Sequence, residues 1–125
     1  MADSHSLRVR LRLKAGPKLV LGPGRLEILQ GIAETGSISA AARGMEMSYR
    51  RAWLLVDDIN HCFESPLVES VTGGKRGGGA RLTALGERVV AAYVRLLEKT
   101  DQAIAAERAE LESLLAEILP SPNNE

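Results

Sequence analysis

The chain has one cysteine and no long apolar segment. Cys62 is the single cysteine among 125 residues, which excludes a disulfide or a cysteine-based metal cluster within one chain. No stretch approaches the roughly 20 apolar residues that span a bilayer, and the first six residues lack the apolar run of a signal peptide. We therefore expect a cytoplasmic protein that has no membrane partner.

Aromatic side chains are also scarce. One Trp, two Tyr and one Phe leave a core of aliphatic side chains and alanine, which suits small and closely packed helices. Such a core has little room for a large ligand cavity, so we expect no cofactor. We expect one domain with an appendage, since single domains most often contain about 100 to 150 residues.

The formal net charge is zero, but the charges are unevenly distributed. Residues 1–83 contain 12 Lys and Arg against 8 Asp and Glu, a net charge of +4. Residues 84–125 contain 4 against 8, a net charge of −4. A basic front half and an acidic rear half indicate one face that attracts phosphates and another that does not.

The segment 37–50 carries the strongest functional signal. Its sequence predicts a short helix over 39–44, a tight turn, and a second helix over 49–63, the arrangement of a helix-turn-helix reader of duplex DNA. Gly44 is predicted to permit the turn. Ser48 is a good N-cap for the second helix.

Candidate DNA-binding residues follow from this arrangement, because the start of the second helix enters the major groove. Arginine matches the two acceptors on the groove edge of guanine, and tyrosine suits a thymine methyl group or a phosphate. At the start of the first helix, Ser39 is predicted either to hold a phosphate or to act only as a cap. The opening turn of the second helix offers Ser48, Tyr49, Arg50 and Arg51.

Two features restrict how much of the second helix contacts DNA. Trp53, one turn after Tyr49, is expected to pack within the protein, because so large a ring is rarely left exposed. Asp57 and Asp58 face outward and would be repelled by phosphates. Only the first turn is therefore expected to approach DNA closely.

A glycine-rich hairpin is predicted beyond this helix. Two strands, 67–72 and 80–82, flank the tip that carries Lys75 and Arg76. The spacing does not fit a nucleotide-binding P-loop, because Lys75 is followed by arginine and more glycine. A basic wing that touches the minor groove or the phosphate backbone fits better, although a merely solvated tip is the alternative.

The segment 7–14 alternates four aliphatic residues with four cations, which predicts a half-buried strand. Its charged side is either solvated, where it would protect an edge strand from pairing, or close to a DNA backbone.

A helix with one apolar face is predicted after Pro23 and ends at Gly36.

The rear of the chain predicts one long helix over 84–119, capped by Thr83 and unbroken before Pro120. An apolar residue every seventh position indicates a coiled-coil seam that a second copy would cover. The alternative is that the helix breaks near Thr100 and Asp101 and folds back. The predicted dimerisation residues are Val90, Leu97, Ile104, Leu111 and Ile118.

The predicted fold class is therefore mainly α with a small β-hairpin wing. The architecture is a winged helix-turn-helix with a long C-terminal dimerisation helix. Residues 1–83 form the DNA-binding domain with its N-terminal strand, residues 84–119 form the dimerisation helix, and residues 120–125 form a disordered tail.

Several short stretches match a known family: Gly36-Ser37-Ile38-Ser39, Ser48-Tyr49-Arg50 with Ala52-Trp53, Leu67-Val68-Glu69, Thr72-Gly73-Gly74-Lys75, Gly77-Gly78-Gly79-Ala80 and Leu82-Thr83. From Leu7 to about Leu97 the chain resembles the N-terminal DNA-binding domain of the molybdate-dependent transcriptional repressor (ModE) family, a relative of LysR-type winged helix domains. The resemblance implies a dimer, with the turn 48–51 in the major groove and the Lys75-Arg76 wing beside it.

Full-length members of that family continue into small β-barrel modules that bind molybdate or tungstate, whereas this sequence stops at Glu125. We therefore expect no oxyanion sensor and no metal-binding residue. The expected partners are double-stranded DNA, a second copy of the chain, and either a separate sensor protein or a full-length ModE relative.

The sequence thus predicts a dimeric transcription regulator that binds operator sites, with a role in molybdenum-related gene control implied by the resemblance. The alternative is a winged-helix protein-interaction module that no longer binds DNA. An enzyme is not expected: His61 and Cys62 are adjacent on a helix, so their side chains do not face each other as a catalytic pair would.

Overall fold

The computed structural model describes residues 6–72 and 78–116. Lys75, Arg76, Ile118 and the predicted tail lie outside these ranges. Both strand pairs are antiparallel hairpins, and the predicted fold class is confirmed. In chain order the elements are β1 (Leu13–Ala15), β2 (Lys18–Leu21), α1 (Pro23–Thr35), α2 (Ile38–Gly44), α3 (Tyr49–Asn60), β3 (Val68–Val71), β4 (Gly79–Leu82), α4 (Ala84–Ala103) and α5 (Ala105–Ser113).

Residues 10–95 form one compact unit. Its core is aliphatic and alanine-rich, as the composition predicts, because α1, α2 and α3 each turn one apolar face inward. Ala41 of α2 lies so close to α1 that a Cβ added to Gly31 would come within 2.9 Å of its Cβ. The buried core residues are Ile28, Leu29, Ile32, Ala41, Ala42, Ala52, Val56, Ile59, Leu67, Val68 and Ala80.

The turn between α2 and α3 differs from the prediction at one residue. Gly44 is the last residue of α2, and the left-handed conformation belongs to Glu46, with φ 54°. The N–H of Met47 donates to the carbonyl of Ala42 at 3.0 Å, and that of Glu46 donates to Arg43 at 3.1 Å. These two bonds form a Schellman closure, which places the left-handed residue two positions after the final helical residue.

The N-terminal strand is much shorter than predicted. Only Leu13–Ala15 pairs with β2, and residues 6–12 have no regular secondary structure. The strand starts only at Leu13 because its partner Leu21 is the last residue of β2, and helix α1 starts two residues later at Pro23. The carbonyl of Leu11 accepts a hydrogen bond from the Tyr93 hydroxyl at 2.7 Å instead. Part of the predicted alternation is present, because the cations Arg8, Arg10 and Arg12 are exposed.

The predicted continuous helix over 84–119 is wrong. Helix α4 ends at Ala103, Ile104 has φ −101° and ψ 7°, and α5 runs from Ala105 only to Ser113. One cause is local, because the Thr100 hydroxyl donates to the carbonyl of Leu96 at 2.7 Å, a bond that bends helices. Of the predicted dimerisation residues, Val90 and Leu97 lie on α4, Ile104 lies at the interruption and Leu111 lies on α5. Their role in a dimer stays a prediction.

Residues 6–9 and 96–116 are the described part of the second compact unit. Within it the N–H of Leu7 donates to the Glu112 carboxylate at 2.7 Å, and Arg108 pairs with Asp101 at 2.8 Å. The N-terminal segment therefore stabilises α5. A helix of nine residues needs such a contact, because isolated short helices are only marginally stable in water. None of the helices in the described ranges has both the length and the hydropathy to cross a bilayer.

The start of α4 packs tightly against the chain before β3. The Thr83 hydroxyl caps α4 by accepting from the N–H of Gly86 at 3.0 Å, which confirms the predicted cap. The N–H of Thr83 donates to the carbonyl of Leu67 at 2.8 Å. A Cβ on Gly86 would lie 2.2 Å from that same carbonyl oxygen, so only glycine fits there.

We predict that Gly86→Ala lowers the free energy of unfolding by about 3 kcal/mol, because the added methyl group forces α4 away from Leu67. Gly24→Ala is the matched control in α1, where an added Cβ meets nothing within 4 Å. That control should raise the free energy by about 0.5–1 kcal/mol. Urea unfolding monitored by circular dichroism measures both, and equal stability of the two variants would contradict the predicted close contact.

Candidate nucleic-acid interface

The opening turn of α3 is exposed. The Ser48 hydroxyl accepts from the N–H of Arg51 at 3.1 Å, as expected of an N-cap. Helix α3 buries Ala52, Val56 and Ile59, which turns its first residues toward solvent. Tyr49 is 56% exposed. Arg50 and Arg51 are exposed as well, and no ion pair within the described residues engages either of them.

A groove joins this turn to the base of the wing. A cavity of about 420 Å³ is lined by the start of α2 (Ser37 and Ser39), by Tyr49 of α3, and by Thr72 and Gly79 of the hairpin β3–β4. The opening turn of α3 and the wing therefore face the same groove. Lys75 and Arg76, the predicted wing cations, lie outside the described residues.

Two backbone contacts hold the wing against the helices. The N–H of Ala80 in β4 donates to the carbonyl of Gly36 at 2.9 Å. Gly36 caps α1 in the left-handed conformation with φ 73°, so its carbonyl is presented just before α2. A Cβ on Gly79 would lie 2.6 Å from that carbonyl oxygen, which leaves room only for glycine at this crossing.

Asn60, the last residue of α3, ties that helix to β3. Its Oδ1 accepts from the N–H groups of Leu67 (2.9 Å) and Val68 (3.0 Å), and its Nδ2 donates to the carbonyl of Val68 at 3.1 Å. Sequence reasoning missed this role, because its partners, Leu67 and Val68, lie beyond the end of the helix at the start of β3. Asn60 thereby sets where the wing starts relative to the candidate DNA-reading helix.

We predict that Asn60→Ala lowers the free energy of unfolding by about 2–3 kcal/mol, because two buried N–H groups lose their acceptor. Asn60→Asp is the control, since its carboxylate keeps both acceptor bonds, loses the donation to Val68 and sets one oxygen against that carbonyl. Its loss should be about 1 kcal/mol. Chemical denaturation of both variants tests this ranking, and an Asn60→Ala variant as stable as Asn60→Asp would refute it.

Ser39 lies near the groove but already has a partner. Its hydroxyl oxygen accepts from the Arg43 guanidinium at 3.1 Å. Arg43 is exposed and was not among the predicted contacts. Its position one helical turn after Ser39 could have indicated that the two side chains pair. The pair presents a positive charge and a hydroxyl proton together, and both suit a phosphate oxygen.

Trp53 is not packed inside the protein, contrary to the prediction. It is 47% exposed and lines the same groove as Tyr49. The inward face of α3 is already filled by Ala52, Val56 and Ile59, so the indole has no place in the core. Leu54 beside it is 49% exposed.

The two carboxylates of α3 have different surroundings. Asp58 accepts from Lys18 and from Arg25, each at 2.5 Å. These contacts, Lys18 first and then Arg25, hold the pKa of the Asp58 carboxyl below its ordinary value of 3.8. Asp57 faces His61, whose Nδ1 lies 3.8 Å from its carboxylate. The Asp58 charge is therefore largely compensated, and its partners anchor α3 to β2 and α1.

We predict a stability change in acid that depends on Asp58. Because its folded-state pKa lies below the unfolded value, its contribution is present above about pH 4 and is lost as the pH falls through the lowered pKa. Below pH 4, the unfolding free energy of Asp58→Asn should therefore fall less steeply than that of the wild type. Lys18→Met, which removes one of the two cations, should show an intermediate slope; identical slopes for all three proteins would argue against this pairing.

Within residues 6–72 and 78–116, no group of three or more His, Cys, Asp and Glu side chains is placed to hold a metal ion. His61 and Cys62 have separate partners. The His61 ring lies 2.7 Å from the carbonyl of Asp57, and the Cys62 thiol contacts the carbonyl of Leu19 and the Arg25 guanidinium.

Two crossing helices joined by a tight turn and followed by a two-stranded wing define the winged helix-turn-helix class. The chain belongs to the lysR family of bacterial regulatory helix-turn-helix proteins, which matches residues 23–87. This family assignment covers every element from α1 to the start of α4.

Curated relatives confirm the resemblance to the ModE family. The transcriptional regulator ModE of Yersinia pestis is 40% identical over 113 residues, which cover 88% of this chain and 43% of the relative. The molybdenum-pterin-binding protein MopB of Rhodobacter capsulatus is 48% identical over 73 residues, which cover 58% of this chain and 27% of the relative. The chain thus spans less than half the length of these relatives.

Solved structures support the fold. The DNA-binding domain of CbnR in complex with DNA matches with a TM-score of 0.54 and 24% identity, over 70% of this chain and 95% of that domain. Full-length CbnR with its target DNA matches with a TM-score of 0.53, over 69% of this chain and 28% of that protein.

Proposed function

We propose that this chain binds double-stranded DNA as the DNA-binding part of a transcription regulator. The observation that carries the proposal is the exposed opening turn of α3, whose two arginines have no ion-pair partner within the described residues and which shares a groove with the wing. The family assignment and the relatives named as transcriptional regulators support it. The proposed activity is binding alone, without a catalytic step.

The proposed contacts divide into two kinds. Arg50 and Arg51 enter the major groove, where a guanidinium fits the two acceptors of guanine, and Tyr49 contacts a thymine methyl group or a phosphate. The Ser39–Arg43 pair and the wing cations contact the phosphate backbone. Ser48 takes part through its cap, which orients the opening turn. The phosphate contacts make the affinity for DNA depend steeply on salt concentration.

We further propose that the protein acts as a homodimer. Val90 and Leu97 lie seven residues apart on α4 and are only half-buried in a single chain. Beyond the interruption at Ile104, the exposed Leu111 of α5 presents a separate apolar surface. A second copy would cover these surfaces. A two-fold dimer predicts roughly palindromic operators, and sedimentation equilibrium measures the mass of the assembly.

Two of the relatives are a molybdenum-pterin-binding protein, MopB, and the molybdenum transport protein ModE of Azotobacter vinelandii. We propose that this chain regulates molybdenum-related genes in the cytoplasm, where bacterial DNA is found. Its signal would come from a separate sensor protein or from a full-length relative that competes for the same sites. Genomic footprinting with and without added molybdate tests the target genes and the effector together.

We predict that Arg50→Ala weakens binding to the preferred operator by about 10-fold to 100-fold, because a bidentate contact to guanine is lost. Binding to random duplex should change little. Arg95→Ala removes the same charge from an exposed position on α4 and is the control. Mobility shifts at several salt concentrations measure both. Equal specific shifts for Arg50→Ala and wild type would refute the Arg50 contact, and a wild-type chain that shifts no duplex would favour a protein-interaction module instead.

A further inference from the structure

We propose that the second turn of α3 also takes part in sequence recognition: Trp53 and Leu54 contact the 5-methyl groups of thymines in the major groove. This inference rests on the proposed DNA binding and extends it from the opening turn to the next one. It replaces the sequence-based expectation that only the first turn approaches DNA.

The exposure of these two side chains needs an explanation. They are large and apolar, yet they are 47% and 49% exposed, on a helix whose other side is buried. Exposed apolar side chains of this size forgo the hydrophobic stabilisation that burial would bring. Two such residues side by side, next to the candidate DNA contacts, indicate a surface that another molecule covers.

Their position along α3 fits the major groove. Trp53 follows Tyr49 by four residues, and Leu54 follows Arg50 by four, so each lies directly beyond a proposed DNA contact on the helix surface. From Tyr49 to Leu54 the helix rises about 7.5 Å, close to the spacing of two base-pair steps. The second turn is therefore within reach of the base pairs next to those that the arginines contact.

The chemistry selects thymine among the bases. The 5-methyl group of thymine is the apolar feature of the major-groove edge, and apolar side chains are its normal partners. Residues 48–54 contain no carboxylate, whereas the Asp57 side chain on the following turn is about half exposed and would be repelled by phosphates. The apolar pair thus occupies the last part of α3 that DNA can approach, which limits the contact to one or two thymines in each half-site.

The first experiment uses the wild-type chain. An operator is enriched from a random duplex library, and each thymine is then replaced singly by deoxyuridine, which removes the methyl group and keeps the base pairing. We expect a loss of affinity of about fourfold at one or two positions in each half-site, the amount that one buried methyl group supplies. Failure to enrich any operator would refute the proposed DNA binding, whereas an operator insensitive to every methyl removal would refute this inference alone.

The second experiment assigns the methyl contact to the side chains. In Trp53→Gln or Leu54→Gln, the thymine and deoxyuridine duplexes should bind equally at the affected position. Val9→Gln replaces an apolar residue of similar exposure outside α3 and should keep the wild-type difference. Should both α3 variants keep the full fourfold methyl effect, the two side chains do not make the contact.

A cross-link on wild-type protein covers the case in which either variant fails to fold. The thymines identified by the scan are replaced by 5-iododeoxyuridine, in which iodine stands at the methyl position, and the complex is irradiated. Cleavage after Arg51 separates Trp53 from Tyr49, so mass spectrometry distinguishes the two turns. Attachment at Trp53 or Leu54 supports the inference, and attachment confined to other residues overturns it.

Discussion

The geometry of the candidate site depends on one buried peptide segment, the backbone at Leu67. Its N–H donates to Asn60 at the end of α3, and its carbonyl accepts from Thr83 at the start of α4. Gly86 packs against the same carbonyl. Because Leu67 immediately precedes β3, these contacts set the wing relative to α3. An unpaired buried amide is costly, so this segment has little freedom to shift.

Helix α3 carries two separate roles along its length. Its opening turn keeps its cations toward solvent, while Asp58 near its other end is bound by Lys18 and Arg25. Compensation of that carboxylate removes a charge that would oppose an approaching phosphate backbone. The same ion pairs fix α3 against α1 and β2. They therefore both anchor the helix and compensate the negative charge of Asp58.

Local signals were predictable from the sequence. The caps at Ser48 and Thr83 and the glycine stop after α1 appear as expected, because each depends on residues within one or two turns. The opening turn of α3 was predicted for the same reason. The role of Asn60 was not predictable, because its partners belong to a later segment. The place of Trp53 also escaped prediction, since size alone does not show that the core is already full.

The helices that build the helix-turn-helix, their caps and the residues at the opening turn of α3 follow from the amino-acid sequence, because short-range hydrogen bonding and helical periodicity decide them. Tertiary structure decided the rest. The first strand is short because β2, its partner, ends at Leu21 before helix α1 begins. Asn60 and Gly36 place the wing. Such outcomes depend on which residues that are distant in sequence come into contact in the folded chain, and a local sequence pattern does not show those contacts.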